Sequence, residues 1–580
     1  VVIAGHGRVA MSSSHPVVAS RWAAADAGAR WRFWRIAPLI LLHVAALIVM
    51  ARTEYPEFVY IAGFLLAWAL LNFLWLALLR RPGVAAALSL AMIAALILLS
   101  QFKYKMLWMT ADFVDVLIVN FATIRYLFTI FPNLGSNVLF AVLVAVPILF
   151  LLWRADPFRL PRKHGVAGSG VCLVGLVGFS LLVPFDPHEG FFPDKHVSHF
   201  ARSGVDAMSY VFSRELLESD AAAGDRLRGV AEAACEPAEK PPHIIMVHDE
   251  SAFDIRKAPN VVVPRGYGQH FRSSDGKHRT LVVETAGGSS WYTEYNVLTG
   301  LSARSFGRFS YFVTRIAAGR VARGLPNTLR RCGYRTFSLY PAHGAFMAAR
   351  DFQATTGVQR FFDSKALRAS DVEPDSFYYD AAARMIGRER ADGPMFMFIY
   401  LSANHHPWDY GWRPDLTPEW RNLGNPPVVN EYLRRQTLGM LHYREFLERL
   451  KRDFPGESFL LVRYGDHQPD FATAILEPAL KESEVVKRIM VNDPRYFTTY
   501  YAIDAVNYKP ADMATALDSV EAPYLPLIVL ETAGLPLDPS FAEQKRIFKR
   551  CRGLFYTCAG GAEARRFNRL LIEAGLIKGL

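Results

Sequence analysis

The stretch Leu461–Asp470, LVRYGDHQPD, decides how the second half of this chain is read. An apolar run, Phe459–Val462, has the composition of a buried strand; Tyr464-Gly465 closes it, and Asp466 and His467 follow side by side. A carboxylate next to an imidazole at the C-terminal end of a strand is a good ligand pair for a divalent cation. Taken alone, such a pair is more often structural than metal-binding. Its company shifts the balance. A second apolar run, His243–Val247, ends in Asp249-Glu250-Ser251, and a third, Met395–Ser402, ends in Asn404-His405-His406-Pro407. Three strands that each deliver polar residues at the C-terminal end give the ligand geometry of an open α/β sheet.

Working outward, strand and helix patterns alternate from Pro241. The strand patterns are His243–Val247, Thr280–Glu284, Arg335–Tyr340, Met395–Ser402, Phe459–Tyr464, Phe497–Ile503 and Leu525–Leu530. Helical spacing falls between them, at Thr293–Leu298, Thr314–Cys332, Ser376–Gly387 and Glu431–Phe454. Buried apolar strands separated by helices predict a mostly parallel sheet covered on both faces. Residues 538–580 are basic and helical at the end, and carry no recognisable chemistry.

The first half has another character. With 580 residues the chain exceeds one ordinary domain, and its 51% hydrophobic content is high for a soluble protein. Five runs approach the ~20 residues that cross a bilayer as a helix: Phe33–Met50, Phe58–Leu79, Val84–Phe102, Val138–Trp153 and Val166–Phe185. Arg21, Arg30, Arg32 and Arg35 precede or open the first run, Arg80-Arg81 separate the second and third, and Arg154, Arg159, Arg162 and Lys163 separate the fourth and fifth. By the positive-inside rule the N-terminal segment 1–32 is cytoplasmic, and everything after Phe185 is outside. Within that segment Val1–Ala10 reads as upstream sequence and Met11 as the start; no secretory cleavage pattern is present. The connection Lys103–Ser136 reads as an outward interfacial helix or helix pair, with a sixth span through Val114–Phe131 as the competing topology. Residues 186–240 read as a linker, with helical spacing over Ala201–Ser219.

The net charge of +11 fits anionic partners and a positive-inside bias alike, so it selects no partner. The basic residues form no nucleic-acid motif. Five cysteines without Cys-x-x-Cys spacing exclude a zinc knuckle. Cys551–Cys558 reads equally as a disulfide or as two free thiols.

Four motifs occur in fixed order: His243-Ile-Ile-Met-Val-His-Asp-Glu-Ser251, Gly287-Gly-Ser-Ser-Trp-Tyr-Thr-Glu294, Ser402-Ala-Asn-His-His-Pro407 and Tyr464-Gly-Asp-His467. Behind five apolar runs, this order resembles the sulfatase-like branch of the alkaline phosphatase superfamily. Within it the chain is similar to membrane-anchored lipoteichoic acid synthases and to phosphoglycerol and phosphoethanolamine transferases. The resemblance implies an α-helical membrane domain of five spans (33–185), the linker, and an extracytoplasmic α/β sandwich with a mostly parallel sheet (241–537), followed by the C-terminal extension. It implies one divalent ion, Mn2+ or Zn2+ with Mg2+ as a third candidate, on Glu250, Ser290, Asp466 and His467. Asp249 competes with Glu250 for the first-strand position.

The same resemblance implies a hydroxyl nucleophile at a helix N-terminus. Ser290 precedes the Glu294-Tyr295 pair by four positions, as in the lipoteichoic acid synthase pattern, and Ser289 is the alternative. His405 aligns with a histidine for phosphate binding or proton transfer, and His406 is its neighbour. Arg350 falls where that pattern places a glycerophosphate-binding arginine, but the tryptophan expected two positions earlier is Ala348. The Cys-x-Pro-x-Arg pattern of true sulfatases is missing, since Cys235-Glu-Pro-Ala-Glu239 lacks the arginine and precedes the first strand. The implied reaction moves a phospholipid headgroup through a phosphoserine to an envelope glycan or lipid, at the bacterial inner membrane. A phosphodiesterase or phosphatase, and a non-catalytic membrane sensor, are the competing readings.

Overall fold

Among the described residues, five helices are long and apolar enough to cross a membrane: α1 (Ile36–Thr53), α2 (Phe58–Leu79), α3 (Pro82–Leu107, of which Pro82–Tyr104 is the span), α5 (Pro132–Ala155, span Leu134–Ala155) and α6 (Arg162–Leu182). A short helix, α4 (Phe113–Ile118), lies between α3 and α5, and α7 (Val197–Ser213) follows α6. The computed structural model describes residues 36–107, 109–118, 132–183, 194–213, 216–220, 240–370 and 372–580, with 124, 128, 189, 227 and 235. The expected N-terminal segment with its Met11 start, the body of the candidate sixth span and part of the linker lie outside these residues.

The described residues form two compact units, one within 36–117 and 132–209, the other within 210–580 together with Ile118, Ile124 and Phe128. In the first, polar contacts tie together the ends that successive crossings would bring to one side. Glu54, just after α1, accepts from the backbone of Val197 (2.7 Å) at the start of α7. Ser100, late in α3, lies 2.8 Å from His196 Nδ1. At the opposite end Arg81, between α2 and α3, donates to the carbonyls of Trp153 and Asp156 (2.6 and 2.7 Å).

The second unit holds one sheet of eight strands: β1 (His243–Asp249), β2 (Arg279–Val282), β3 (Arg335–Leu339), β4 (Arg360–Phe362), β5 (Met395–Tyr400), β6 (Phe459–Gly465), β7 (Thr498–Val506) and β8 (Ser519–Glu521). Their order is β4-β3-β5-β1-β6-β7-β2-β8. β1 pairs in parallel with β5 and β6, and its residues 243–248 are buried, which is why the run reads as continuously apolar rather than alternating. β7 runs antiparallel to both β6 and β2. Two reversals restore direction, so β1, β2, β5 and β6 all end at the same edge.

Strand period sorts the side chains. Ile245 and Val247 of β1, Met397 and Ile399 of β5 and Leu461 of β6 pack in one core with α10 (Asp375–Glu389) and α11 (Pro427–Asp453), where Tyr379 stacks on Phe446 at 4.6 Å. Residues of the other parity, His248 and Tyr464 among them, project to the opposite face.

Two readings change. Leu525–Leu530, expected as a strand, is inside the helix Leu525–Thr532; a short apolar run buried on every side has no period to tell strand from helix. The expected helix Thr314–Cys332 is two pieces, Val313–Ala317 and Leu325–Arg331, interrupted at Gly319 (φ 74°). The three-residue strands β4 and β8 are too short to have been visible. Both Cys551–Cys558 and Cys235–Cys332 are disulfides, the second joining the approach to β1 with the end of Leu325–Arg331; Cys172 is free and buried. Residues 538–580 pack into the second unit, with Gln544 donating to the carbonyls of Gly300 and Pro523 (2.7 and 3.0 Å).

Gly465 shows how tightly the edge where β1 and β6 end is closed. A Cβ there would lie 1.7 Å from the carbonyl oxygen of Ala252, in the turn after β1. Because the obstacle is backbone, Gly465→Ala is expected to cost at least ~3 kcal/mol or to prevent folding. Thermal unfolding of the purified variant checks this, and a Tm within about two degrees of wild type would refute it.

Candidate active site

Asp466 follows β6 and Glu250 follows β1, so their parallel pairing, with Asp249 opposite Gly465, sets both carboxylates at one edge. Both are buried. Asp466 Oδ1 accepts the backbone N–H groups of Ser251 (2.7 Å) and His467 (2.8 Å). Its Oδ2 lies 3.3 Å from His467 Nε2 and 3.2 Å from His248 Nε2. The same His467 nitrogen is 3.5 Å from Glu250 Oε1 and 3.1 Å from Ser290 Oγ, and Ser290 Oγ is 3.3 Å from Glu250 Oε2.

Ser290 reaches this point from β2. The loop 285–290 is folded back by Thr285, whose hydroxyl bonds the Gly288 carbonyl at 2.5 Å, and by Gly287 at φ 72°. Ser289 is in the left-handed region (φ 61°), and Ser290 opens α8 (Trp291–Thr299) with helical φ and ψ. Its side chain makes no cap bond to that helix; it bonds to Glu250 and His467 instead. Thr293 Oγ1 anchors α8 to the Asp466 carbonyl at 2.7 Å.

The hydrogen bonds of His467 define the chemistry. Its Nδ1 bonds the Gln468 carbonyl at 2.8 Å and therefore carries the proton in the neutral ring. Nε2 then turns a lone pair toward Asp466, Glu250 and Ser290. Such a crowd of acceptors calls for positive charge at its centre. Burial raises the Asp466 pKa, but His467, then His248, pull it back, and the net result is well below the ordinary range. Burial opposes charge on His467, yet Asp466 and Glu250 outweigh it and raise its pKa. A proton on Nε2 or a cation in the cluster answers the same crowding. A serine–histidine–acid relay fits less well, because it needs the acid on the other ring nitrogen.

The donor set fits a metal ion. His248, Glu250 and Asp466 each offer a ligand atom, all within 4.8 Å of one another, and Asp466 Oδ2 and His248 Nε2 are buried without a hydrogen-bond partner among the described residues. Oxygen and nitrogen donors together suit zinc or manganese. The sequence pattern did not flag His248, because it lies inside a strand that reads as core. Its signal is the His-x-Glu spacing, which puts His248 and Glu250 on one face of an extended chain. Tyr464 OH, 2.9 Å from Nδ1, and the Tyr400 ring, stacked at 3.9 Å, hold His248 in place. Tyr400 OH itself is 3.5 Å from Glu250 Oε2.

The remaining candidates stand apart. Asp249 has the opposite parity and bonds Tyr500 OH (2.5 Å) and His270 Nε2 (3.3 Å). His405 and His406 are exposed on the loop after β5, at the same edge of the sheet, with His405 Nδ1 2.7 Å from the His406 carbonyl. Arg350 bonds Asp363 at 2.6 Å and lines a cavity of about 550 Å³ with His343 and Lys365, beyond the ends of β3 and β4. Among the described residues, none of these bonds reaches the Ser290 cluster.

A family model described as Sulfatase matches residues 283–484. An uncharacterised protein of Haemophilus influenzae is 24% identical over 217 residues, which cover 34% of this chain and 38% of that protein. Among solved structures, the Streptococcus pyogenes phosphoglycerol transferase GacH in complex with sn-glycerol-1-phosphate is 16% identical and covers 64% of this chain and 92% of that one, with a TM-score of 0.44. The Neisseria meningitidis lipooligosaccharide phosphoethanolamine transferase A is 12% identical and covers 82% of this chain and 95% of that one, with a TM-score of 0.43.

One turn beyond Ser290, Glu294 is buried and accepts from Gln353 Nε2 at 2.8 Å. Burial pushes its carboxyl up to about 7. The unfolded chain gives up this proton near the ordinary carboxylate value while the folded one still holds it. Stability is therefore full in acid and falls as pH rises toward 7, by on the order of 3 kcal/mol. Glu294→Gln is expected to flatten that fall. Tm profiles of both proteins from pH 4.5 to 8 check it, and parallel profiles would contradict it.

Proposed function

We propose that this chain, whose segment 283–484 belongs to the sulfatase family, is a metal-dependent membrane transferase that moves a phospholipid headgroup, phosphoglycerol or phosphoethanolamine, to a hydroxyl on an envelope glycan or lipid. The observation that carries the reading is the convergence of Ser290 Oγ, Glu250, Asp466 and His467 Nε2 at one buried point. In this reading Ser290, the hydroxyl bonded into that point, is the nucleophile rather than Ser289. Glu250, Asp466 and His467, with Ser290 and His248 as further donors, would hold one zinc or manganese ion, with magnesium as a third candidate. Bound there, the ion's charge lowers the pKa of the serine hydroxyl and offsets charge on the phosphoryl oxygens.

Ser290 Oγ, its proton released to solvent, attacks phosphorus. The bond from phosphorus to the diacylglycerol oxygen breaks, and that oxygen takes a proton from His405. In the second half an acceptor hydroxyl gives its proton to His405 and attacks the phosphoserine, and Ser290 Oγ leaves. His406 and Arg350 bind substrate, and the cavity beside Arg350 has room for a headgroup or an acceptor sugar. The amide N–H groups at the start of α8 favour the phosphate anion.

The five spans keep the domain at the membrane that holds the donor. The clustered arginines at the α2–α3 and α5–α6 turns support a cytoplasmic N-terminus, and the two disulfides of the second unit support an oxidising compartment, the periplasmic side of a bacterial inner membrane. The segments 1–32, 33–185, 186–240, 241–537 and 538–580 then serve as cytoplasmic lead, anchor, linker, catalytic domain and extension.

Full-length protein in detergent, exposed to mixed bacterial phospholipids, is expected to gain the mass of one phospho-headgroup. Ser290→Ala should remove this adduct and Ser289→Ala should keep it; the reverse result rejects the nucleophile. Labelled phospholipid, with and without glycan, separates transfer from hydrolysis by where the label ends. Glu250→Gln is expected to lower metal affinity by about tenfold or more, whereas Asp249→Asn keeps the ion. Metal analysis after dialysis reads both, and equal loss would reject the ligand assignment.

A further inference from the structure

On the face of the sheet opposite Ser290, an enclosed cavity of about 10 Å³ is lined by Asp249, Asp375, Asn404, Arg435 and Arg463 among others. It has room for one water molecule. Two of the buried groups that line it, Asp375 Oδ1 and Asn404 Nδ2, have no hydrogen-bond partner among the described residues. Trp408 Nε1 donates to Asn404 Oδ1 (3.3 Å), which fixes the amide so that Nδ2 is the unmatched donor. One unmatched donor facing one unmatched acceptor suits a water. A metal cation does not suit it, because no cation accepts from an amide N–H.

Asp375 lies at the start of α10, which packs beside the loop after β5. One turn later Tyr378 OH lies 3.3 Å from Ser402 Oγ. Arg435 donates to the carbonyls of His405 (2.9 Å), Pro407 (2.8 Å) and Tyr410 (3.2 Å). Gly439 of α11 leaves the space the acid needs, since a Cβ there would sit 2.6 Å from Asp375 Oδ2. Burial, and then the Asp249 charge, push the Asp375 carboxyl up to about 8, so at neutral pH it can stand beside Asp249 without adding a second charge.

We propose that Asp375, through one internal water shared with Asn404, is a positioning residue that sets the backbone presenting His405. The proposal rests on the proton-transfer role given to His405 above. A residue that acts only through His405 should share its signature, a loss confined to leaving groups that need a proton.

The test compares two phosphodiesters on full-length protein in detergent, one with an alkyl leaving group and one with 4-nitrophenolate. His405→Ala and Asp375→Leu are both expected to lose kcat on the alkyl ester by about tenfold more than on the nitrophenyl ester. Asp375→Asn, which keeps shape and hydrogen bonding, should stay within about threefold of wild type on both. If His405→Ala shows the split and Asp375→Leu loses both substrates equally, the proposal falls and the reading of His405 stands. If His405→Ala itself shows no split, that reading falls and takes the brace with it. Should Asp375→Leu fail to fold, Gly439→Ala, which crowds the same carboxyl, replaces it under the same criteria. A high-resolution crystal structure is expected to show one ordered water bonded to Asp375 and Asn404, and a dry cavity overturns the proposal.

Discussion

The edge that carries Ser290 depends on one constraint: the carboxylate of Asp466 is fully buried and must be satisfied on both oxygens. Burying an ion costs several kcal/mol unless hydrogen bonds and charges replace its water. Oδ1 is served by two backbone amides, from Ser251 and His467, and these bonds lock the turn after β1 to the turn after β6. Oδ2 faces the imidazole nitrogens of His248 and His467. That half-satisfied carboxylate organises its neighbours, because Glu250, Ser290 and His467 all turn toward the same point. The energy of the site thus comes from closing strands around an acid, and its chemistry from the oxygen left over.

Strand parity divides this edge into two networks. His248, Glu250, Tyr464 and Asp466 lie on one face with Ser290. Asp249 and Arg463 lie on the other, where Arg463 pairs with Asp504 (3.2 Å) and stacks over Tyr443 at 3.9 Å. Adjacent residues in an extended chain can thus belong to different chemistries, and Asp249 and Glu250 are such a pair. The second pairs Asp249 and Arg463 with Tyr500, His270 and Asp504, which suits a support. The first keeps bare acceptors, which suits a binding centre.

Much of this was legible before any coordinates. Glu250, Asp466 and His467 each end an apolar run, and a polar residue there has one place to go in a parallel sheet, the open edge. The apolar spans were legible because lipid demands about twenty apolar residues in a row. Other features were hidden. His248 looked like core because it is flanked by core. Leu525–Thr532 looked like a strand because burial on all sides erases periodicity. The bond between Cys235 and Cys332 joins residues 97 apart, and no local pattern encodes such a pairing.

The sequence by itself determined the class of architecture, the five apolar helices and the order of four polar motifs, because each follows from local period and composition. Tertiary structure alone brought Ser290 rather than Ser289 within hydrogen-bond reach of Glu250 and His467, and sent Glu250 and Asp249 to different partners. The physical reason is that hydrogen-bond geometry depends on strand register and on backbone angles at single residues. Two neighbouring serines have the same chemistry, and only the fold of the loop through Gly287 and Gly288 brings one of them to Glu250 and His467.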